Sequence, residues 1–142
     1  MLRSESRDID SNELLWYEEV YVEKIQDLSD YNNPTTRCAL LKCALLVYEI
    51  VPLAVVNDSC KQEELIQPFL DKVFNANGFG LELISISSLP KGSGMGSSSI
   101  LAGCILDSVG KCTGLCFDDD HEQKKGLTKG ILLLEQLLTT GV

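Results

Sequence analysis

Apolar positions recur at helical spacing in four segments of this chain. Because a helix that buries one face repeats its apolar residues every three or four positions, we expect four amphipathic helices. Thr35 or Thr36 is the expected N-cap of the first helix, and Pro52 is expected to end it. Pro68 either kinks the second helix or marks its true start, and Gly110 is expected to end the third. The predicted helices span residues 38–51, 62–74, 98–109 and 126–138.

Two further segments carry patterns typical of strands. Residues 13–28 are rich in aromatic and β-branched side chains, which favours a strand. Residues 79–87 place apolar side chains on both faces, which predicts a strand buried on both sides. Residues 1–12 are polar and are expected to be frayed. Strands interleaved with helices in this way predict an α+β or α/β fold. Loops or turns are expected at residues 30–34, 55–60, 75–78 and 114–125.

Composition narrows the possible classes of protein. With 142 residues, 44% of them hydrophobic, the chain is one globular domain or part of one. Its formal net charge of −9 disfavours nucleic acid as a partner, because an acidic surface repels a phosphate backbone. Residues 1–10 show no apolar signal-peptide core, and the apolar stretch at 38–56 is interrupted by Lys42, Glu49 and Pro52. We therefore expect no membrane partner and a cytoplasmic location.

Six cysteines in a chain without a visible export signal are expected to be reduced thiols. Cys112 and Cys116, with His121 nearby, could form half of a zinc site. Their spacing is not the usual C-x-x-C and a second pair is missing, so this alternative is disfavoured. Three cysteines lie in apolar helical context, where a thiol behaves as a small apolar side chain. These are Cys38, Cys43 and Cys104.

A glycine- and serine-rich loop at residues 89–102 joins the second predicted strand to the third predicted helix. At such a junction the backbone N–H groups are free and the helix dipole is positive, so the loop suits a polyphosphate. A Walker A loop does not match, because Lys91 precedes the glycines. A dinucleotide fingerprint begun by Gly92 and Gly94 would need a third glycine where Ser97 stands. The simpler alternative is that the serines only cap the helix.

Residues 90–99 read P-K-G-S-G-M-G-S-S-S. This string resembles the P-x-x-x-G-[LM]-G-S-S-[AS] signature of the GHMP small-molecule kinases, which include galactokinase and mevalonate kinase. The similarity to the L-fucose kinases of that superfamily continues through Gly103 and recurs at residues 133–141. Looser similarity is present at residues 27–31 and 39–42. The heptose 7-phosphate kinases of the same superfamily share the loop but fit its continuation less well.

This resemblance implies an α+β fold. The chain would be part of a GHMP kinase N-terminal domain, like the second domain of a small-subunit ribosomal protein, with an incomplete sheet and helices packed on it. Residues 25–142 would form this ATP-binding part, and residues 1–24 match the family poorly.

The resemblance also implies binding of ATP and magnesium. Ser98 matches the serine that ligates magnesium in these kinases, and Glu135 matches the helical carboxylate that is the other ligand. Apart from the resemblance, Glu135 would be interpreted as a solvated helix residue. The substrates implied are a nucleotide and a small sugar, with L-fucose converted to fucose 1-phosphate. The nucleotide-binding residues implied are Gly92, Ser93, Gly94, Met95, Gly96, Ser97, Ser98 and Ser99.

Two family features have no match in this chain. The G-G-W-x-D-T-P-P segment, which helps to form the sugar site, is not present in residues 1–28. The catalytic Asp of the family follows the match to residues 139–141, and the chain ends at Val142. Residues 118–120 form a run of Asp in predicted loop sequence and match no motif. We therefore assign no catalytic residue and expect a fragment that is inactive alone. A non-catalytic remnant that binds a nucleotide or a partner remains the alternative.

Overall fold

A computed structural model describes residues 1–88, 97–114 and 120–140, with side chains described from Ser99 in the second range and from Gly126 in the third. The fold is α+β, as predicted: a small mixed sheet with helices packed on it. The strands are β1 (Leu2–Arg7), β2 (Leu14–Val20) and β3 (Leu83–Ser87). The helices are α1 (Ala39–Val47), α2 (Leu53–Val56), α3 (Gln67–Phe74), α4 (Ser97–Thr113) and α5 (Asp120–Thr140).

The N-terminal segment forms the central strand of the described sheet, whose order is β2-β1-β3. Strand β1 pairs antiparallel with β2 and parallel with β3. The expectation that residues 1–12 are frayed is therefore wrong for Leu2–Arg7. Backbone hydrogen bonds on both edges hold this strand, and they do not depend on apolar side chains. Glu5 is the one buried acid of this strand, and it lies between two arginines. Its Oε1 is 2.9 Å from the Nε of Arg3, and its Oε2 is 2.9 Å from the Nε of Arg7.

Strand β3 is shorter than predicted and is not buried on both sides. Ser85 is 5% exposed on the face that the helices cover, whereas Ile84 and Ile86 are 37% and 56% exposed on the opposite face. A strand with apolar residues on both faces is buried twice only when layers pack on both sides of its sheet. Among the described residues, α4 contacts β3, and the exposure of the two isoleucines shows that their face is open.

The core lies between the sheet and the helices α1, α4 and α5, which contact one another. Helix α1 is apolar almost all round and is buried along most of its length. In the described part of the chain, no helix combines the length and the apolar character needed to span a membrane. The largest side chains with almost no exposure are Ile25, Leu28, Leu41, Ile50, Leu106 and Leu134.

Helix ends follow local geometry that the hydrophobic pattern does not encode. Cys38, and not Thr35 or Thr36, is the N-cap of α1, with a left-handed φ of 54°. Its N–H donates to a carboxylate oxygen of Glu18 at 2.7 Å, so β2 supplies the capping acceptor. Helix α1 ends at Val47, earlier than the predicted stop at Pro52, and Pro52 instead precedes α2, which lies partly in the predicted loop 55–60.

The other predicted helices are present, but their bounds differ from the predicted ones. Pro68 lies in the first turn of α3, so it marks the true start of that helix. The turn at 75–78 is confirmed by left-handed backbone at Asn75, Asn77 and Gly78. Gly110 lies within α4 and does not end it, because that helix continues to Thr113. Helix α5 begins at Asp120, inside the predicted loop 114–125.

Candidate functional site

The glycine- and serine-rich loop connects a strand to a helix, as predicted. Strand β3 ends at Ser87 and α4 begins at Ser97. The first turn of α4 is made by Ser97, Ser98 and Ser99, so the positive end of the helix dipole faces the loop. The other predicted nucleotide-binding residues lie outside the described residues. These are Gly92, Ser93, Gly94, Met95 and Gly96.

The structure brings two of the predicted site residues into direct contact. The hydroxyl of Ser99, in the first turn of α4, donates a hydrogen bond to the carboxylate oxygen Oε1 of Glu135 on α5. Both side chains are partly buried. The interpretation of Glu135 as a freely solvated helix residue therefore does not describe its environment. Sequence analysis named both residues but did not foresee that one donates to the other.

This contact belongs to a regular antiparallel packing of α4 against α5. One turn further along α4, Gly103 faces Ile131, which lies one turn earlier on α5; a Cβ on Gly103 would be 3.3 Å from the Cδ1 of Ile131. Further along the same interface, Gly130 of α5 faces Leu106 of α4. A Cβ added to Gly130 would also be 3.3 Å from the Cδ1 of Leu106. Glycines at these two levels let the helices approach closely. One glycine on each helix, each facing a large aliphatic side chain of the other, is the sequence signal that could have predicted this packing.

The Ser99–Glu135 contact lies beside buried apolar residues of both helices. Ala102 and Leu134 are both 0% exposed, and Leu137 is 3% exposed. Each of these three is a neighbour of Ser99 or Glu135 along its own helix. Apolar burial on both helices therefore fixes the two backbones, and the polar pair lies where the interface opens to solvent.

The chemistry of the pair is that of hard oxygen donors. Magnesium prefers carboxylate and hydroxyl oxygens and keeps several waters, so a Glu and a Ser beside nucleotide phosphates are suitable ligands. One oxygen of Glu135 is engaged by Ser99, and a carboxylate has further lone pairs for a cation. The carboxylate of Glu135 therefore has the donor chemistry that a magnesium ion needs, whereas the side chain of Ser98, the other predicted ligand, lies outside the described part of the chain. That ligand assignment stays a prediction.

The zinc alternative is not tested by the structure. Cys112 is exposed, but Cys116 and the side chain of His121 lie outside the described residues. Among the described side chains, those of residues 1–88, 99–114 and 126–140, no group of three or more His, Cys, Asp or Glu is placed to hold a metal.

A separate cavity of about 330 Å³ lies beside the N-terminus, with Met1, Leu2 and Leu81 among its lining residues. The N-terminal amine donates to the carbonyl of Leu81 at 2.8 Å. Its lining is mainly apolar and includes no residue of the predicted nucleotide site. Among the lining side chains are Leu2, Val22, Leu45, Leu65, Ile66 and Leu70.

Comparison with known proteins finds a similarity to a protein that is named in part as a fucokinase. The chain is similar to the L-fucokinase/L-fucose-1-P guanylyltransferase of Bacteroides fragilis, with 32% identity over 120 residues. The matched region is 84% of this chain and 11% of that relative, so the chain spans about a ninth of the relative's length. No family model matches the chain, and no solved structure matches it. Membership of the GHMP superfamily therefore stays a prediction from the loop and from the helix that carries Glu135.

Proposed function

We propose that this chain is the nucleotide-binding part of an ATP-dependent sugar kinase that converts L-fucose to fucose 1-phosphate. The observation that carries the proposal is the contact between Ser99 and Glu135, which joins the helix after the phosphate-type loop to the helix with the matching carboxylate. The similarity to a fucokinase over most of the chain supports the choice of sugar kinase. That relative's name also includes a guanylyltransferase, and the loop signature favours the kinase activity for this region.

In this proposal the chain's residues bind and orient the nucleotide. Gly94 and Gly96 let the backbone approach the phosphates, and Ser97 offers a hydroxyl donor. Ser98 and Glu135 would hold magnesium, which supplies charge neutralisation between the phosphate oxygens when it is bound. The net charge of −9 makes this local arrangement necessary, because the surface as a whole repels a polyphosphate.

Transfer of the phosphoryl group also needs a residue that orients the acceptor hydroxyl. No residue of this chain matches the family's Asp at that position. We therefore expect the chain alone to bind MgATP and to form no detectable fucose 1-phosphate. Clear turnover of L-fucose and ATP by the purified chain would contradict that expectation.

The binding role is tested with a fluorescent ADP analogue titrated with and without Mg²⁺. We expect Mg²⁺ to tighten binding to the wild type, and Ser98→Ala and Glu135→Gln to lose most of that effect. Ser108→Ala is the matched control, because Ser108 is an exposed serine of α4 whose hydroxyl bonds only the carbonyl of Cys104 in its own helix. Equal Mg²⁺ dependence in all four proteins would contradict the proposed site.

A further inference from the structure

We propose that Ser99 is a positioning residue that holds the carboxylate of Glu135 in the orientation needed to bind the nucleotide-associated cation. This inference rests on the proposed function, since it concerns the same site. It assigns to Ser99 a role distinct from phosphate binding: its hydroxyl is turned towards α5, where it donates to Oε1 of Glu135. A hydroxyl that donates to a metal-binding carboxylate orients that carboxylate, and it does not itself have to contact the cation.

The carboxylate of Glu135 is held at one oxygen. An ionised carboxylate accepts at two oxygens, and Ser99 donates to Oε1 of Glu135. Among the described residues no hydrogen bond or ion pair reaches Oε2, so that oxygen is open to a cation. A glutamate has several rotatable bonds and loses side-chain entropy when it is held in one geometry. A hydroxyl that restrains the carboxylate beforehand removes part of that cost from cation binding.

The packing of α4 against α5 rests on apolar contacts besides this hydrogen bond. Ala102 and Leu134 are fully buried within the same interface, and Gly103 lies against Ile131 one turn away. Because apolar packing sets the distance between α4 and α5, the Ser99 hydroxyl is available to orient Glu135 without also having to hold the helices together. Loss of the hydroxyl should therefore change cation binding more than it changes the fold.

Ser99 is also placed in the chain beside a predicted ligand. It follows Ser98 directly in the first turn of α4, and Ser98 is the predicted hydroxyl ligand. A single helical turn thus carries one serine assigned to the cation and one that contacts the other predicted ligand. Serines are common at helix starts as caps, but a capping serine bonds the backbone of its own helix. The observed bond of Ser99 instead joins two helices.

The test compares Ser99→Val with Ser99→Thr in the full chain. The two side chains have nearly the same shape, and only threonine keeps the hydroxyl. A fluorescent ADP analogue is titrated with Mg²⁺, and the Mg²⁺ concentration that gives half of the full effect is measured. Since loss of an outer-shell partner weakens metal binding about 10- to 100-fold, we expect Ser99→Val to raise that concentration about 10-fold. We expect Ser99→Thr to stay close to wild type, and Ser99→Val to weaken nucleotide binding more with Mg²⁺ than without it.

Three outcomes separate this inference from the proposed function. If Ser98→Ala and Glu135→Gln lose Mg²⁺ dependence but Ser99→Val behaves as wild type, the positioning role is wrong and the proposed function stands. If Ser99→Val weakens binding equally with and without Mg²⁺, or Ser99→Thr fails to restore the wild-type value, Ser99 acts structurally and the inference is overturned. If none of the variants changes the Mg²⁺ response, the proposed function itself fails, and the inference with it.

Discussion

The ammonium group of Lys42 lies 2.7 Å from a carboxylate oxygen of Asp30, and the lysine side chain is only 4% exposed. The hydroxyl of Thr36 donates to the other oxygen of the same carboxylate. Lys42 is therefore a buried charge within the apolar helix α1, held by an acid from the turn before it. The sequence shows Lys42 only as an interruption in an apolar stretch, and its burial with a partner is a tertiary result.

We expect Asp30→Asn to lower the free energy of unfolding by about 2 kcal/mol at pH 7, because it leaves the Lys42 ammonium buried without a counter-charge. The cost is below that of a fully buried pair, since Asp30 is 45% exposed. Lys42→Met removes the charge itself and is expected to cost less, about 1 kcal/mol. Urea unfolding of the three proteins measures both values. An Asn variant as stable as wild type at pH 7 would contradict the prediction.

The same pair predicts a pH dependence. Burial raises the pKa of Asp30, but the hydrogen bonds from Lys42 and Thr36 outweigh it and leave the pKa below its usual value of 3.8. A carboxyl whose pKa is lowered by folding stabilises the folded state above its unfolded pKa and loses that contribution as pH falls through its folded pKa. The difference in stability between wild type and Asp30→Asn should therefore be full near neutral pH and should narrow below pH 3.8. A difference that is constant with pH would count against this role.

Two glycines at the contact of α4 and α5 should respond oppositely to alanine. An added Cβ meets a methyl group at 3.3 Å in both cases, but Ile131 is partly exposed and can shift, whereas Leu106 is 0% exposed. Alanine in a helix is more favourable than glycine by about 1 kcal/mol. We expect Gly103→Ala to stabilise the chain by about 0.5 kcal/mol, and Gly130→Ala to destabilise it by about 1 kcal/mol through overpacking. Thermal unfolding of both variants measures the two changes in stability. Tm shifts of the same sign in the two variants would contradict the prediction.

The cysteines should separate into reactive and protected groups. Burial raises the pKa of the Cys43 thiol to about 12 and is the main cause that raises the pKa of Cys38 to about 11. Since the thiolate is the reactive form, neither should react with iodoacetamide in the folded protein at pH 8. Cys60, Cys104 and Cys112 are exposed and should be modified. Mass spectrometry of native and urea-unfolded samples measures this, and labelling of Cys43 in the native chain would contradict the packing described for α1.

The exposure of Cys104 shows that helical periodicity alone does not identify which residues of α4 are buried. The apolar side chains at helical spacing in α4 are those of Ile100, Leu101, Cys104, Ile105 and Val109. Ile105 and Val109 are buried, but Ile100 is 56% exposed and Cys104 is exposed. An apolar pattern identifies the helix, but it does not determine how wide a face its neighbours cover. That width depends on which other helices pack against it.

The sequence by itself determined a fold that mixes strands and helices, the existence of the four longer helices and the strand–loop–helix setting of the phosphate-type loop, and it left open whether Pro68 kinks α3 or marks its start. These follow from local regularities: apolar period, proline geometry, and glycine and serine at a helix start. Only the tertiary structure decided that the polar residues 2–7 form the central strand, that Lys42 is buried against Asp30, and that Ser99 contacts Glu135. Each of these depends on segments far apart in the chain, whose pairing is set by backbone hydrogen bonds and helix packing that no local pattern encodes.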